Sequence, residues 1–364
     1  MAVALVFLVI IFGFTIAGFF YEAPNPLESE RRQPANFPEL TFKTVADASF
    51  MSKLEDYLID NFPMREEFRK IKALALFNVF MQSDNNAVYE VDGYLSKYEA
   101  SFDEKMIALA GKKFEKLNDT LLSGLNVYIS LIPDKNYFIA EANGYPSYDY
   151  DRFAELLREN TPSFKYIDLF GTLKLENFYR TDLHWDQSKI SHVIDKLASE
   201  MGFVRADTDY TAHEKDGFKG NFAGQIAIPV APDKMTYLTS DTLDSAKVYV
   251  LNDKLEFVER PVYDEANFSH VDPYDLFLDG PTTIIKIVNE KCESDKRLIL
   301  FRDSFGSSAA PLLVDGYSEI YVVDLRYAAS SMLAQFVDVR PGDDALFLYS
   351  TNVINSSAAT FKVY

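Results

Sequence analysis

From Arg297 to Tyr349 the chain alternates between apolar β-like runs and amphipathic helical stretches: Arg297 to Phe301, Ala309 to Val314, Glu319 to Asp324, Ala328 to Phe336 and Ala345 to Tyr349. Strand, helix, strand, helix, strand at this spacing specifies a parallel sheet, because parallel neighbours need a crossover between them. In an open sheet of this kind reactive groups gather in the crevice beyond the carboxyl ends of the strands. Residues distant in sequence can therefore meet there. Three segments end or follow apolar runs and carry chemistry: Arg180-Thr181-Asp182-Leu183-His184-Trp185, Phe301-Arg302-Asp303-Ser304-Phe305 and Asp324-Leu325-Arg326-Tyr327.

The same rhythm can be followed upstream. Ala87 to Leu95, Val127 to Pro133 and Phe164 to Phe170 read as strands, and Asp103 to Leu121, Tyr148 to Glu159 and Gln187 to Met201 as helices. Gly202 to about Asp295 breaks the pattern with turn residues and alternating runs, which predicts a β-rich insertion. Leu54, Tyr57, Leu58 and Phe62 recur at helical spacing, as do Phe68, Ile71, Leu74 and Phe77 after Pro63. They predict two amphipathic helices packing on the main domain. With 364 residues and 48% hydrophobic composition the chain can bury a large core. The expected organisation is an N-terminal membrane or signal segment (1–20), a linker (21–45), the first part of an α/β domain (46–201), the insertion (202–296) and the second part of that domain (297–364).

Met1 to Phe20 contains no charged side chain. That length fits a bilayer span or a long signal segment. The run has no Ala-x-Ala pattern and no cysteine for lipidation, so an uncleaved transmembrane anchor with the main domain extracytoplasmic is the expectation. Arg31 and Arg32 follow the span, against the positive-inside rule for that orientation. A formal net charge of −19 argues against binding nucleic acid or an anionic membrane through bulk charge. The single Cys292 excludes an intramolecular disulfide. No phosphate-cradling glycine loop, HExxH or CxxC pair is present, so no metal or cofactor is expected.

Ser304 sits where a strand passes into a helix, and amides at a helix start can stabilise an oxyanion. Taken alone, a serine there is more often just a helix N-cap. Asp182 and His184 add to it. In an extended segment residues two apart share a side, so the carboxylate could reach Nδ1 and leave Nε2 for a serine. The alternative is a loop histidine with a local aspartate contact. Trp185, the one tryptophan, reads either as core or as a platform for a sugar face. Asp303 reads as a structural or capping residue, Asn221-Phe222-Ala223-Gly224 as a β-turn and His192 as an ordinary helix residue. Asn267-Phe268-Ser269 fits a glycosylation pattern of little diagnostic force.

The Arg180-to-Trp185 segment together with Arg302-Asp303-Ser304-Phe305 resembles the DHHW family, which includes proteins of alginate O-acetylation and belongs to the wider SGNH-hydrolase group. Phe37-Pro38-Glu39-Leu40, Leu58-Ile59-Asp60, Phe62-Pro63-Met64-Arg65, Leu131-Ile132-Pro133-Asp134-Lys135 and Ile167-Asp168-Leu169 extend the resemblance. The chain carries Leu183 where the family often has histidine, at a position that would face away from its neighbours. The resemblance implies an SGNH-hydrolase-like parallel sheet flanked by helices, with Ser304 as nucleophile, His184 as base and Asp182 as its orienting group. It further implies oxyanion and substrate groups at Arg326, Tyr327 and Asn352 or Asn355. The implied activity is transfer of acetyl to a hydroxyl of an exported polysaccharide. The implied partner is a multi-span membrane acyltransferase that delivers the acetyl group. Acetylester hydrolysis by the same residues, and a silent glycan-binding or scaffold role, are the alternatives. The net negative charge prefers a neutral or amino-bearing glycan, with Arg180, Arg302 and Arg326 as the candidate basic patch.

Overall fold

The computed structural model describes residues 2–18, 20–205 and 209–364. The chain divides into two compact units, one formed by residues 1–90 with 221–231 and the other by residues 91–220 with 232–364.

The larger unit is built on an eight-stranded sheet. Its strands in chain order are β1 (Asn126–Ile132), β2 (Lys165–Asp168), β3 (Lys247–Leu251), β4 (Phe257–Arg260), β5 (Ile284–Val288), β6 (Arg297–Arg302), β7 (Glu319–Val323) and β8 (Asp344–Ser350). They lie in the order β2-β1-β8-β6-β7-β5-β3-β4. Neighbours from β2 to β7 pair in parallel, and β5, β3 and β4 continue the sheet antiparallel. The predicted parallel core is therefore present. Residues 202–296 supply three of the sheet's own strands as well as an antiparallel pair, Thr211–Phe218 with Asp233–Thr239. The alternation read there as an insertion marks strands that extend the main sheet at one edge.

Alternation along the central strands explains why both faces are covered. Leu298 and Leu300 of β6 pack on one face with Leu346 and Leu348 of β8. Ile299 and Phe301 pack on the other with Phe347 and Tyr349. The first face is closed by helices α3 (Ser191–Met201) and α4 (Ser304–Leu313), through Val193, Ile194, Leu197, Leu312 and Leu313. The second is closed by α1 (Glu104–Thr120) and α2 (Tyr150–Glu159), through Phe114, Leu117, Phe153 and Leu157. From Phe305 to Leu313 every residue of α4 is buried. At roughly 1.5–3 kcal/mol for each large side chain removed from water, α4 is fixed by burial well beyond what its own propensity supplies.

The smaller unit holds the predicted amphipathic helices as Ser49–Asp60 and Arg65–Asn78. One of its ionic ties is Asp60, whose carboxylate accepts both Arg32 amines at 2.6 Å and the Ala35 N–H at 2.8 Å. Asn221-Phe222-Ala223-Gly224 opens a short helix, Asn221–Ile226, within this unit. Arg69 reaches its Gly224 carbonyl at 2.7 Å, so the predicted β-turn is replaced by a helix anchored from outside.

Ala2–Gly18 is helical and none of its residues is buried. Phe14 stacks on Phe62 at 5.3 Å. The expected transmembrane helix is not found: no helix among the described residues is long and apolar enough to cross a membrane.

Candidate active site

Ser304 is the first residue of α4 and directly follows the turn out of β6. Asp303 occupies the N-cap. One of its carboxylate oxygens accepts the Phe305 N–H at 3.0 Å, and its carbonyl accepts the Gly306 N–H at 3.0 Å. The other carboxylate oxygen takes the N–H and the hydroxyl of Ser350, both at 2.7 Å. Asp303 thus caps the helix and fastens the ends of β6 and β8 together. The cap uses the amides of Phe305 and Gly306, and the Ser304 N–H is the one it leaves at the helix start. A Cβ on Gly306 would lie 2.4 Å from Cβ of Arg302, so only glycine lets the helix turn back this tightly over the strand.

The Asp182–His184 segment approaches Ser304 on a strap between Tyr179 and Gln187. Nε2 of His184 lies 2.7 Å from Oγ of Ser304, and Nδ1 lies 2.6 Å from Oδ1 of Asp182. The same oxygen accepts the His184 backbone N–H at 3.0 Å. A carboxylate can only accept, so Nδ1 carries the proton and Nε2 is left to accept from the serine. Asp182 is wholly buried and His184 nearly so, while Ser304 is half-buried. Tyr274 lies flat against the imidazole, with ring centroids 3.8 Å apart and planes 8° apart. Burial raises the Tyr274 hydroxyl well above its ordinary value, and it donates to Oγ of Ser308 at 2.7 Å.

The strap is held from both sides. Asp233 accepts the N–H groups of Arg180 at 3.1 Å and Thr181 at 2.7 Å, and the Thr181 hydroxyl at 2.7 Å. Lys135 donates to the carbonyls of Tyr179 at 2.9 Å and Arg180 at 3.0 Å. The Gly220 N–H donates to Oγ1 of Thr181 at 2.8 Å, and a Cβ on Gly220 would fall 2.2 Å from the Thr181 carbonyl carbon.

The remaining sequence-predicted residues fare differently. Trp185 is fully buried in the core, and its Nε1 donates to Oγ of Ser308 at 2.8 Å and to the Phe305 carbonyl at 3.2 Å. It offers no face to a sugar, which corrects the platform reading. It ties the strap to the helix that begins with Ser304. Arg326 is bound to Asp324 through Nε at 2.9 Å and Nη2 at 2.7 Å, and its guanidinium lies 5.6 Å from the Tyr327 ring centroid. Arg302 is buried, 3.7 Å from the same Asp324, and burial pushes its guanidinium below its ordinary value. Arg180 is exposed and packs over Tyr94 at 5.5 Å. The three arginines therefore form no basic patch: one is buried, one is bound to a carboxylate and one lies on an aromatic ring. Tyr327 is exposed.

Asn352 and Asn355 both lie on the helix α5 (Thr351–Ser357) that follows β8. Asn355 donates to Glu99 at 2.9 Å and accepts the Asp103 N–H at 2.8 Å, which commits its amide to structure. Asn352 lies on the first turn, two residues beyond the Ser350 held by Asp303. Leu183 is half-buried and packs against the core. Sequence reading missed Tyr274, Lys135, Asp233 and Ser308. Lys135 had a signal, a lysine directly after an apolar strand run. Asp233 opens a strand, Ser308 lies within α4 and Tyr274 stands in a short 3-10 turn, and no sequence pattern marked any of the three.

No protein-family model matches the sequence, and no curated protein matches it either. Solved structures do share the fold. A DHHW family protein from Eubacterium siraeum aligns with a TM-score of 0.62 at 19% identity, over 76% of this chain and 94% of that chain. Bacillus cereus PatB1 aligns with a TM-score of 0.60 at 17% identity, over 76% and 99%. The O-acetyltransferase domain of Pseudomonas putida AlgJ superposes less closely, at a TM-score of 0.43 and 12% identity over 76% and 94%. The fold is thus one that a DHHW family protein also has, as the resemblance in sequence implied.

Proposed function

We propose that this protein is a serine-dependent acyl transferase that moves an acetyl group to a hydroxyl of an exported polysaccharide. The observation that carries the reading is the continuous path Ser304 Oγ, His184 Nε2, His184 Nδ1, Asp182 Oδ1, with steps of 2.7 and 2.6 Å. Three groups at these distances are the arrangement that converts a hydroxyl into a nucleophile.

In the first half-reaction Oγ of Ser304 attacks the acetyl carbonyl while Nε2 of His184 takes the hydroxyl proton. Asp182 stabilises the imidazolium, and the oxyanion is met by the Ser304 N–H, with Asn352 as the side-chain donor. Collapse of the tetrahedral intermediate expels the donor's leaving group, which takes the proton from Nε2. In the second half the sugar hydroxyl gives its proton to Nε2 and attacks the acetyl-serine, and Ser304 leaves as the free hydroxyl after recovering that proton. The resemblance to proteins of alginate O-acetylation supports a glycan acceptor. On the same ground we place the main domain outside the cytoplasm, at the cell membrane, with a multi-span membrane acyltransferase as the donor partner.

The test is incubation of the full chain with an activated acetyl ester and a panel of oligosaccharides, beside Ser304→Ala. Ser304-dependent acetylated oligosaccharide is the expected product. Acetate alone would replace the reading with an acetylesterase. Neither product from folded protein would leave a binding subunit.

A further inference from the structure

We propose that Lys135 is a positioning residue for the Ser304 reaction, its buried ammonium fixing the strap that carries Asp182 and His184. The inference rests on the acyl-serine reading above.

Lys135 lies three residues beyond the end of β1, the strand beside the β2 edge of the sheet, and is 1% exposed. Its Nζ donates to the carbonyls of Tyr179 and Arg180, at 2.9 and 3.0 Å, immediately before Asp182. Asp233 grips the N–H groups of the same turn. The backbone is therefore clamped through its acceptors by a cation and through its donors by an anion. A neutral donor could satisfy two carbonyls, whereas a buried ammonium needs opposite charge nearby to persist. The carboxylates that act on it are Asp182, Asp233 and Asp134. Asp134 is already engaged by the Tyr150 hydroxyl at 2.6 Å, and Asp233 by the strap. Asp182, which orients the imidazole, is thus one of the three anions that hold the ammonium in place. Burial brings the Lys135 ammonium down to about 7, against the pull of these carboxylates.

Without the two bonds from Nζ the backbone just ahead of Asp182 is released, and with it the placement of His184 Nε2 at 2.7 Å from Ser304 Oγ.

The experiment follows labelling of Ser304 in the full chain by phenylmethylsulfonyl fluoride, read by intact mass at one fixed pH, with melting checked for each variant. Lys135→Met should label on the order of 10²-fold more slowly per folded molecule, as expected for a misplaced base. Lys135→Arg, which can still donate to both carbonyls, should recover most of the rate. A folded Lys135→Met that labels at the wild-type rate, or a folded Lys135→Arg as slow as Lys135→Met, overturns the inference. Should Lys135→Met fail to fold, Lys135→Gln is read the same way. Wild-type chain that is not labelled at Ser304 refutes the acyl-serine reading and this inference together. Labelled wild type with an equally fast folded variant refutes this inference alone.

Discussion

Two buried ionic clusters lie beyond the carboxyl ends of neighbouring strands, and one of them presents a ring nitrogen to a serine hydroxyl. On the strap, Asp182 holds Nδ1 of His184 and the other ring nitrogen points out of the cluster at Ser304. Beyond β7, Asp324 is fully buried between two guanidiniums, with Arg326 bound through two nitrogens and Arg302 at 3.7 Å. Arg302 also donates through Nη2 to the Gly280 carbonyl at 3.2 Å, so the second cluster ends on backbone rather than on a hydroxyl. Sequence alone made both look chemical, since each places an aspartate two residues from a basic side chain. The difference is that imidazole has a second nitrogen that can accept a proton, while a guanidinium can only donate.

The comparison is broken most severely at Asp182. Asp182→Asn should leave the fold intact and lower the rate of Ser304 acylation on the order of 10⁴-fold, by presenting the wrong tautomer to the serine. A loss of less than about tenfold would place both clusters in the structural class. Asp324→Asn is the matching change on the other side. It strips the counter-ion from two cations, one of them buried, so it should cost about 3–5 kcal/mol in denaturant unfolding while the acylation rate per folded molecule changes only severalfold. A rate collapse at unchanged stability would move Arg326 into the reaction.

A smaller effect is expected where strap and helix are joined. Trp185→Phe keeps most of the buried ring and removes the donor to Ser308 and the Phe305 carbonyl, which should cost about 1–3 kcal/mol. The smallest effect is in pH dependence. Burial pushes the Asp134 carboxyl from an ordinary 3.8 up to about 6. A folded-state pKa above the unfolded one contributes stability that is complete below about 3.8 and lost as pH rises through about 6. The melting temperature of wild type relative to Asp134→Asn should therefore fall by a few degrees between those limits, and a flat difference would contradict the burial argument.

How far the sequence could be read depended on how local each signal was. The β6–α4–β7 and β8 rhythm, the turn carrying Ser304 and the side-sharing of Asp182 and His184 all follow from short-range periodicity. Asp303 was legible as a cap for the same reason. The antiparallel edge was not, because alternating strands look alike whether they form a separate insertion or extend a sheet, and pairing is a long-range choice. Trp185 was ambiguous because a tryptophan beside a reactive histidine can face out or in. Its two hydrogen bonds to α4 decide the matter, and those partners are more than a hundred residues away. Tyr274 could not have been found at all: nothing around Asp272-Pro273-Tyr274 announces a ring that stacks on His184.

The central claim is that Ser304 is made nucleophilic by the His184–Asp182 pair. Its most direct test is the intact mass of the full chain after exposure to an activated acetyl ester, beside Ser304→Ala. The account predicts a gain of one acetyl group in wild type, mapped to Ser304 by peptide fragmentation and absent from the variant. Folded wild type that takes up no acetyl, or takes it up equally without the serine hydroxyl, would contradict it.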